Sequence, residues 1–395
     1  MISGAWRQAE IRVVYGIPEY GEMISDGVRM DAYARALRKV VKPGCVVLDI
    51  GTGTGVAAML ACQLGARRVY AIEPNDAIFV AQEIAAANGY GATIQFFQAL
   101  STEVTLPEPA DVIVSDMRGI LPFYRNHLVA IADARARHLA RDGVMIPQSD
   151  TLWVAAVNAP QLYDSLTSPW SGKTFGLDMS AARRLAINSF CRLKADAADI
   201  VSAAQSVGTI DYRAVESFGF SGAADLPVAE AATANGLCVW FDSTLAEGVE
   251  MSNAPDRPRL IYGSAFFPWL EPVHLEPGDV VRVALRADLV GGDYEWQWHT
   301  RVSAGDRRPQ LKADMRQSEF QGRLLSPVTL GKHSASHTPR LGEDGQIDQL
   351  ILRLMEDGLA LGNIARAVTQ RYPDRFARWQ DALTRVGDLS VRYSR

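Results

Sequence analysis

One stretch limits what this chain can fold into: Val46-Val47-Leu48-Asp49-Ile50-Gly51-Thr52-Gly53-Thr54-Gly55. Val46 to Ile50 is a short run of mostly β-branched apolar residues, interrupted by Asp49. That composition suits a parallel strand covered on both faces. Gly51, Gly53 and Gly55 then allow a sharp turn and let the backbone approach a ligand where a Cβ would collide. Val56 to Leu64 follows as an apolar helix, whose free N–H groups face whatever lies over the turn. Glycines alone are weak evidence for a nucleotide-type ligand. The next apolar run, Arg68 to Ile72, strengthens it by ending on Glu73. An acid about 20 residues beyond such a turn is placed to accept two hydrogen bonds from a ribose diol. Pro74-Asn75 opens the following helix, which runs through Ala87.

The same rhythm continues. Strands are expected near 46–50, 68–72, 93–97, 111–115 and 151–157, and helices near 55–64, 76–88 and 123–140. Alternation of this kind predicts a twisted, mainly parallel sheet wrapped by helices. The fourth strand ends at Ser115-Asp116-Met117-Arg118, where ligands of open α/β sheets sit, so Asp116 and Arg118 are the first candidates for substrate contact. Tyr124 and His127 lie on the next helix, and His127 reads equally well as a buried helix residue. Ahead of the sheet, a helical apolar face from Ser25 onward carries Arg29, which reads as a solvated charge or as a partner for a carboxylate-bearing ligand.

At 395 residues the chain is long for one core. After about residue 158 the texture changes. Residues 160–205 read as helical or irregular. From 208 to 302 short apolar runs alternate with Pro-Gly and Gly-Gly turns, among them Cys238 to Phe241, Leu260 to Tyr262, Val280 to Leu285 and Tyr294 to Val302, which predicts an antiparallel barrel or sandwich. Residues 303–345 read as a linker and 346–395 as helical. A net charge of −5 argues against a nucleic-acid-coating surface. No run of roughly 18 apolar residues predicts a membrane span, and Met1 to Glu10 has no apolar signal core. Four scattered cysteines read as reduced residues of a cytoplasmic protein. His333 and His337 fall in the Ser/Pro-rich segment and read as linker, so no metal site is expected.

These blocks together resemble the protein arginine methyltransferases, over about residues 13 to 302. Tyr20-Gly21-Glu22-Met23-Ile24-Ser25-Asp26-Gly27-Val28-Arg29 is similar to the family's N-terminal signature, and the glycine stretch and Glu73 follow at its spacing. Phe175 to Ser180 is similar to the arm of the family's dimer interface, and Leu237 to Asp242 to the first core strand of its barrel. The resemblance implies a fold of class α/β + β: a helical lid over the cofactor at 1–40, a Rossmann-like sheet domain at 41–157, and an antiparallel β-barrel at 158–302 with a dimerisation arm at about 160–205. It implies S-adenosylmethionine as cofactor and a homodimer. Arg29 would pair with the methionine carboxylate. Gly51, Gly53 and Gly55 would pass beneath the methionine and ribose, with Asp49, Pro74 and Ser115 beside them. Glu73 would hold the ribose, Glu103 the adenine amino group, and Met23 would pack beside the sulfonium.

Two departures stand out. Where the family grips its substrate with two glutamates, this chain has Asp116 and Arg125. Where the family has a Thr-His-Trp loop, it has Leu260-Ile261-Tyr262. The resemblance therefore implies methyl transfer, with Asp116 orienting or deprotonating an acceptor helped by Tyr124 or His127, and with Arg118, Arg125 and Tyr262 lining the pocket. Ordinary peptidyl arginine fits that pocket poorly. Asp357 to Ala365 followed by Tyr372-Pro373 resembles the helical part of small leader-peptide recognition domains, which implies a peptide or protein substrate. A small-metabolite methyltransferase and a non-catalytic scaffold stay open as alternatives.

Overall fold

Two short helices open the residues that the computed structural model describes, which are 15–305 and 310–394. The first ten residues, read above for a signal segment, lie outside them. Helix α1 (Ile17–Ser25) begins with Pro18 in its first turn, where a missing N–H costs nothing. Asp26 breaks the run and caps α2 (Gly27–Val40), its side chain accepting from the Arg29 N–H at 3.0 Å. That cap sets Arg29 on the first turn of α2. Ala32, Tyr33, Ala36 and Leu37 form the buried face of α2.

The chain divides into two compact units, up to Arg323 and from Leu324 onward. In the first unit, β1 (Val46–Ile50) is buried along its whole length. Helix α3 (Val56–Gln63), β2 (Arg68–Ile72), α4 (Ala77–Ala87), β3 (Ile94–Phe97), β4 (Ala110–Ser115), α5 (His127–His138) and β5 (Leu139–Ile146) follow. The strands form a five-stranded sheet ordered β3-β2-β1-β4-β5, and every pairing is parallel. Because the strand order reverses around β1 and β4, their carboxyl ends flank the crevice where ligands of such sheets bind.

Two expectations for this sheet need correction. The helix expected at 123–140 spans only His127–His138, and the fifth parallel strand is Leu139–Ile146 rather than 151–157. The pairing of β4 with β5 is irregular, its register shifting between Ala110 and Val112. Residues 149–157 instead form β6 (Ser149–Val157), which pairs antiparallel with barrel strands.

The second half of this unit adds α6 (Pro160–Ser171), the two-residue strands β7 (Lys173–Thr174) and β8 (Leu177–Asp178), α7 (Ser180–Ala186) and β9 (Cys191–Leu193). Then come β10 (Gln205–Asp211), β11 (Phe220–Pro227), β12 (Ala232–Ala246), β13 (Val249–Ser252), β14 (Ser264–Leu275), β15 (Val280–Val290), β16 (Asp293–Ser303), β17 (Leu311–Ser318) and α8 (Glu319–Gly322). One antiparallel sheet runs β10-β6-β12-β14-β9 with β13 on β12; the other runs β11-β15-β16-β17. Inward residues of the two sheets, among them Phe267, Trp269, Trp296 and Trp298, share one fully buried core. Each such side chain taken out of water contributes roughly 2 kcal/mol or more. Three readings change here. Leu311–Ser318 is a strand, not part of a linker, and its partner β16 shows why: alternate residues Met315 and Gln317 face inward. Leu260 to Tyr262 is a turn, not a strand. The segment 160–205 contains the β7–β8 pair and β9 besides its helices.

The second unit holds α9 (Pro327–Lys332), α10 (Glu343–Glu356), α11 (Leu361–Arg371) and α12 (Trp379–Tyr393). Ile347, Ile351, Ile364, Val368 and Val386 form its own buried core. Among the described residues no helix is long and apolar enough to cross a membrane.

Candidate active site

The crevice has two sides. The first lies at the ends of β1 and β2. Gly51, Gly53 and Gly55 take φ of +72°, +52° and +85°, which L side chains rarely adopt. A Cβ on Gly51 would come within 2.8 Å of the Met117 side chain, and one on Gly53 within 2.7 Å of the Tyr20 ring. Met117 and Tyr20 therefore pack directly against the bare backbone of the turn, as only glycine allows. The Gly51 and Thr52 N–H groups donate to the Ile72 carbonyl at 2.9 and 3.1 Å, which ties the turn to β2. Glu73 accepts from the Gly53 N–H at 3.0 Å with one oxygen and from the Asn75 N–H at 2.9 Å with the other. Burial pushes its pKa up, and the two N–H groups oppose that. A carboxylate offers about four lone-pair sites, so each oxygen retains acceptor capacity for a hydroxyl.

Asp49, expected at the ligand, does something else. It is buried, and one of its oxygens accepts from the Thr52 hydroxyl at 2.6 Å and the Ala58 N–H at 3.0 Å. Burial raises its carboxyl to about 6 against the pull of those two donors. Asp49 shapes the turn and satisfies the start of α3. Pro74 is exposed, and Glu103 is an exposed residue whose carboxylate accepts from the Leu100 N–H at 3.3 Å.

The second side lies at the end of β4, and here side chains supply the polar groups. Asp116 Oδ2 accepts from Arg29 Nε at 2.6 Å and from the Tyr262 hydroxyl at 2.5 Å, and its Oδ1 accepts from Arg118 Nε at 3.2 Å. Burial would raise this carboxyl, but the charges of Arg29 and Arg118 and the Tyr262 hydroxyl prevail and hold it at about 2. Arg118 is wholly buried. Its Nη1 donates to both oxygens of Asp150 at 2.9 and 3.2 Å and to Ser243 Oγ at 2.8 Å; its Nη2 donates to the Tyr33 hydroxyl at 2.5 Å. Its guanidinium carbon also stands 5.0 Å from the Phe241 ring centre. The Tyr33 hydroxyl donates to the Ser115 carbonyl at 3.2 Å, and the Tyr212 hydroxyl donates to Asp150 at 2.6 Å.

Several candidates thus change role. Arg118, expected at the substrate, is the centre of a buried ion-pair network. His127 is buried and packs edge-on against Tyr212, its Nε2 3.4 Å from that hydroxyl. Burial first, then Arg118, pushes its pKa down to about 3, so it is a neutral core residue. Ser115 is buried, with no hydrogen bond to its Oγ among the described residues. Tyr124 is half-buried, and the Arg125 guanidinium lies 5.3 Å from its ring centre. Burial, with Tyr15 beside it, takes the Tyr124 hydroxyl to about 12. Arg125 itself has φ +46°. Arg29 also donates to the Met23 carbonyl at 3.1 Å, which brings Met23 to the same corner.

Sequence reasoning missed Tyr33, Asp150, Tyr212 and Ser243 as parts of this corner, and Tyr20 as the ring packed on Gly53. It quoted Asp26 without a role. Asp26 Oδ2 accepts from the Ile261 N–H at 2.8 Å, so the acid engages the main chain at the position where the resemblance leads one to expect a histidine.

Comparison with known proteins agrees with this two-part build. Residues 33–147 match the family model of ribosomal protein L11 methyltransferase, and residues 148–288 match that of the arginine methyltransferase oligomerization subdomain. Protein arginine N-methyltransferase 1 of Dictyostelium discoideum is 34% identical over 177 residues, which are 44% of this chain and 51% of that protein. The chain thus spans about half the length of that curated relative. An arginine N(omega)-methyltransferase of Streptomyces achromogenes subsp. streptozoticus is 28% identical over 279 residues, covering 67% of this chain and 74% of the relative. Among solved structures, Arabidopsis thaliana protein arginine methyltransferase 10 superposes with a TM-score of 0.68 at 21% identity, over 78% of this chain and 99% of that one. The Trypanosoma brucei PRMT1 enzyme–prozyme heterotetrameric complex with AdoHcy gives 0.70 at 22% identity, over 76% and 97%. The fold is that of the arginine methyltransferases: a class I methyltransferase sheet domain joined to their barrel.

Proposed function

We propose that this arginine-methyltransferase-like chain is an S-adenosylmethionine-dependent methyltransferase acting on a side chain of a peptide or protein, at an acceptor other than an ordinary peptidyl arginine. When bound, the donor supplies an electrophilic methyl group. The chain's residues hold and orient it. The glycines keep the turn free of Cβ atoms, so Met117 and Tyr20 close directly on its backbone. Glu73 keeps lone pairs for the ribose diol, and Arg29, on the first turn of α2, offers a guanidinium to the amino-acid carboxylate. Met23 stands at the same corner, and exposed Glu103 is within the loop assigned to the adenine amino group. Such a site accelerates transfer by alignment and by excluding water.

The acceptor side carries the rest of the reading. Asp116, the one acid left of the family's pair, already receives hydrogen bonds from two arginines and a tyrosine. A guanidinium arriving there would face Arg29 and Arg118, with Arg125 in place of the second acid.

A peptide substrate is favoured by the second unit. It contains a groove of about 570 Å³ lined by Arg340, Arg353 and Arg371 together with Leu341, Leu350 and Tyr372, a surface for docking a peptide. A homodimer is favoured by Phe175 and Leu177, which are 98% and 62% exposed between α6 and α7. The four free thiols suit a reducing, cytoplasmic setting. A small metabolite as acceptor is the second reading. It is favoured by the Streptomyces relative, which is named for arginine rather than for a protein.

The test is calorimetric titration with S-adenosylhomocysteine followed by methyl-label transfer to candidate acceptors. Binding with transfer to a peptide supports the proposal. Absence of binding removes the donor site. Transfer to arginine peptides alone removes the altered acceptor.

A further inference from the structure

We propose that the groove of the second compact unit docks an acidic segment of the peptide substrate, anchored by an apolar side chain and separate from the residue that is methylated. This rests on the peptide-substrate reading above and names the chemistry of the segment recognised.

The groove is built along one helix. Ile347 and Ile351 turn α10 toward the core of its unit. Gln346, Leu350 and Arg353 succeed one another at helical spacing and form a neighbouring stripe that lines the groove. Arg340 and Leu341, from the chain entering α10, and Arg371 and Tyr372, from the end of α11, complete it. Leu350 and Tyr372 rest on the core and are only partly covered by it, and Leu341 is 56% exposed.

Charge says what comes to this surface. The lining holds three arginines and no acid. Other arginines of the unit are matched. Arg375 pairs with Glu343 at 3.1 Å and Asp344 at 2.8 Å, Arg385 with Asp344 and Asp348 at 2.7 Å each, and Arg378 with Asp381 at 3.0 Å. Arg366 lies 4.7 Å from the Trp379 ring centre. Arg340, Arg353 and Arg371 form no ion pair with a carboxylate among the described residues, although Glu356 and Asp374 follow Arg353 and Arg371 at three residues' distance. The imbalance extends beyond the groove. Residues 324–395 carry ten lysines and arginines against eight acids, and the rest of the chain carries thirty against thirty-seven. A cationic hollow on a net positive unit of a net negative chain draws anions to itself.

The apolar residues say what kind of anion. A small ion would meet the arginines and leave Leu341, Leu350 and Tyr372 wet in a groove of about 570 Å³. A peptide whose Asp and Glu meet the arginines while a Leu or Phe covers the apolar floor uses both. Exposed ion pairs are weak one by one, so the apolar anchor carries affinity and the charges carry selection.

The experiment uses the full chain, immobilised and panned against a displayed library of short random peptides. The triple variant Arg340→Gln/Arg353→Gln/Arg371→Gln is panned in parallel, since Gln keeps helix propensity and removes charge. A melt matching the wild type establishes that it is folded. Arg392→Gln, in the same unit but outside the lining, is the control. Wild type and control should enrich Asp and Glu about twofold or more over the library, together with a large apolar residue, and the triple variant should not. One enriched peptide, synthesised and labelled, should bind wild type about tenfold more tightly than the triple variant by fluorescence anisotropy, from three exposed pairs at roughly twofold each. Added salt should weaken it. Linked to an acceptor peptide found by methyl-label transfer, it should lower KM about tenfold with kcat unchanged, in the wild type alone.

Binders without acid enrichment, equal binding by the triple variant, displacement of the peptide by a single-stranded oligonucleotide at lower concentration than by unlabelled peptide, or an unchanged KM would each overturn the docking proposal. Failure of S-adenosylhomocysteine to bind, or of any peptide to be methylated, would instead remove the reading beneath it.

Discussion

At the ends of β1 and β2 the polar groups of the crevice come mostly from main chain, whereas at the end of β4 they come from side chains on many separate elements. The first side is shaped by what glycine lacks. Its turn is pinned to β2 by N–H groups, and Glu73 is held by two more. The second is assembled from Arg29, Tyr33, Asp116, Arg118, Asp150, Ser243 and Tyr262. A site of the first kind resists alteration, because any Cβ obstructs it. A site of the second kind can be retuned one residue at a time while the sheet stays intact, so one cleft can retain a donor and change its acceptor.

The contrast gives measurable consequences. Asp150→Ala should be the most damaging change. It leaves the buried Arg118 charge without its bidentate partner, a loss of about 3–5 kcal/mol. At the steepness expected for a unit of this size, the melting temperature falls by roughly 4–7 °C. A melt within error of the wild type would mean that the network is not what holds this corner. Gly53→Val attacks the other side. It places a branched side chain against Tyr20 at φ +52°, and should weaken S-adenosylhomocysteine about 100-fold by calorimetry, with a smaller effect on melting. Unchanged affinity would show that the turn does not cradle the donor.

The two sides should also differ in the sign of their pH dependence. Asp49 has a folded value raised to about 6. Its contribution is therefore full below the unfolded value near 4 and is lost as pH rises to about 6. Asp116 has a folded value lowered to about 2, so its contribution is present above about 4 and is lost as pH falls through 2. Each is worth on the order of 2 kcal/mol. Denaturation of Asp49→Asn and Asp116→Asn against wild type from acid to neutral pH checks both slopes, and equal slopes would erase the distinction. The mildest change is Tyr262→Phe. It removes one donor from Asp116 and should cost about 1 kcal/mol, less when Asp116 is already Asn.

The donor side was legible in sequence because its signals are local. Three glycines, a β-branched run and an acid at fixed spacing lie within 28 residues, from Val46 to Glu73. The acceptor network was not legible. Residues 33, 118, 150, 212 and 243 lie on elements whose proximity only the tertiary fold creates. The available hint was a lone acid, Asp150, just ahead of the apolar run Leu152 to Val157. Strand β5 was hidden by its polar first half, Leu139 to Gly143, and β17 by the polar residues of its outer face.

Asp26 joins the two halves of the chain. One of its oxygens starts α2, and the other holds the main chain of a loop 235 residues away. The entrance helices and the barrel loop are thereby fastened at a single carboxylate. An Asn there would retain one acceptor oxygen and have to choose between them. A chain so altered would keep its sheet and its barrel while the doorway loosened, and the change would surface in how fast ligands come and go before it surfaced in how tightly the protein folds.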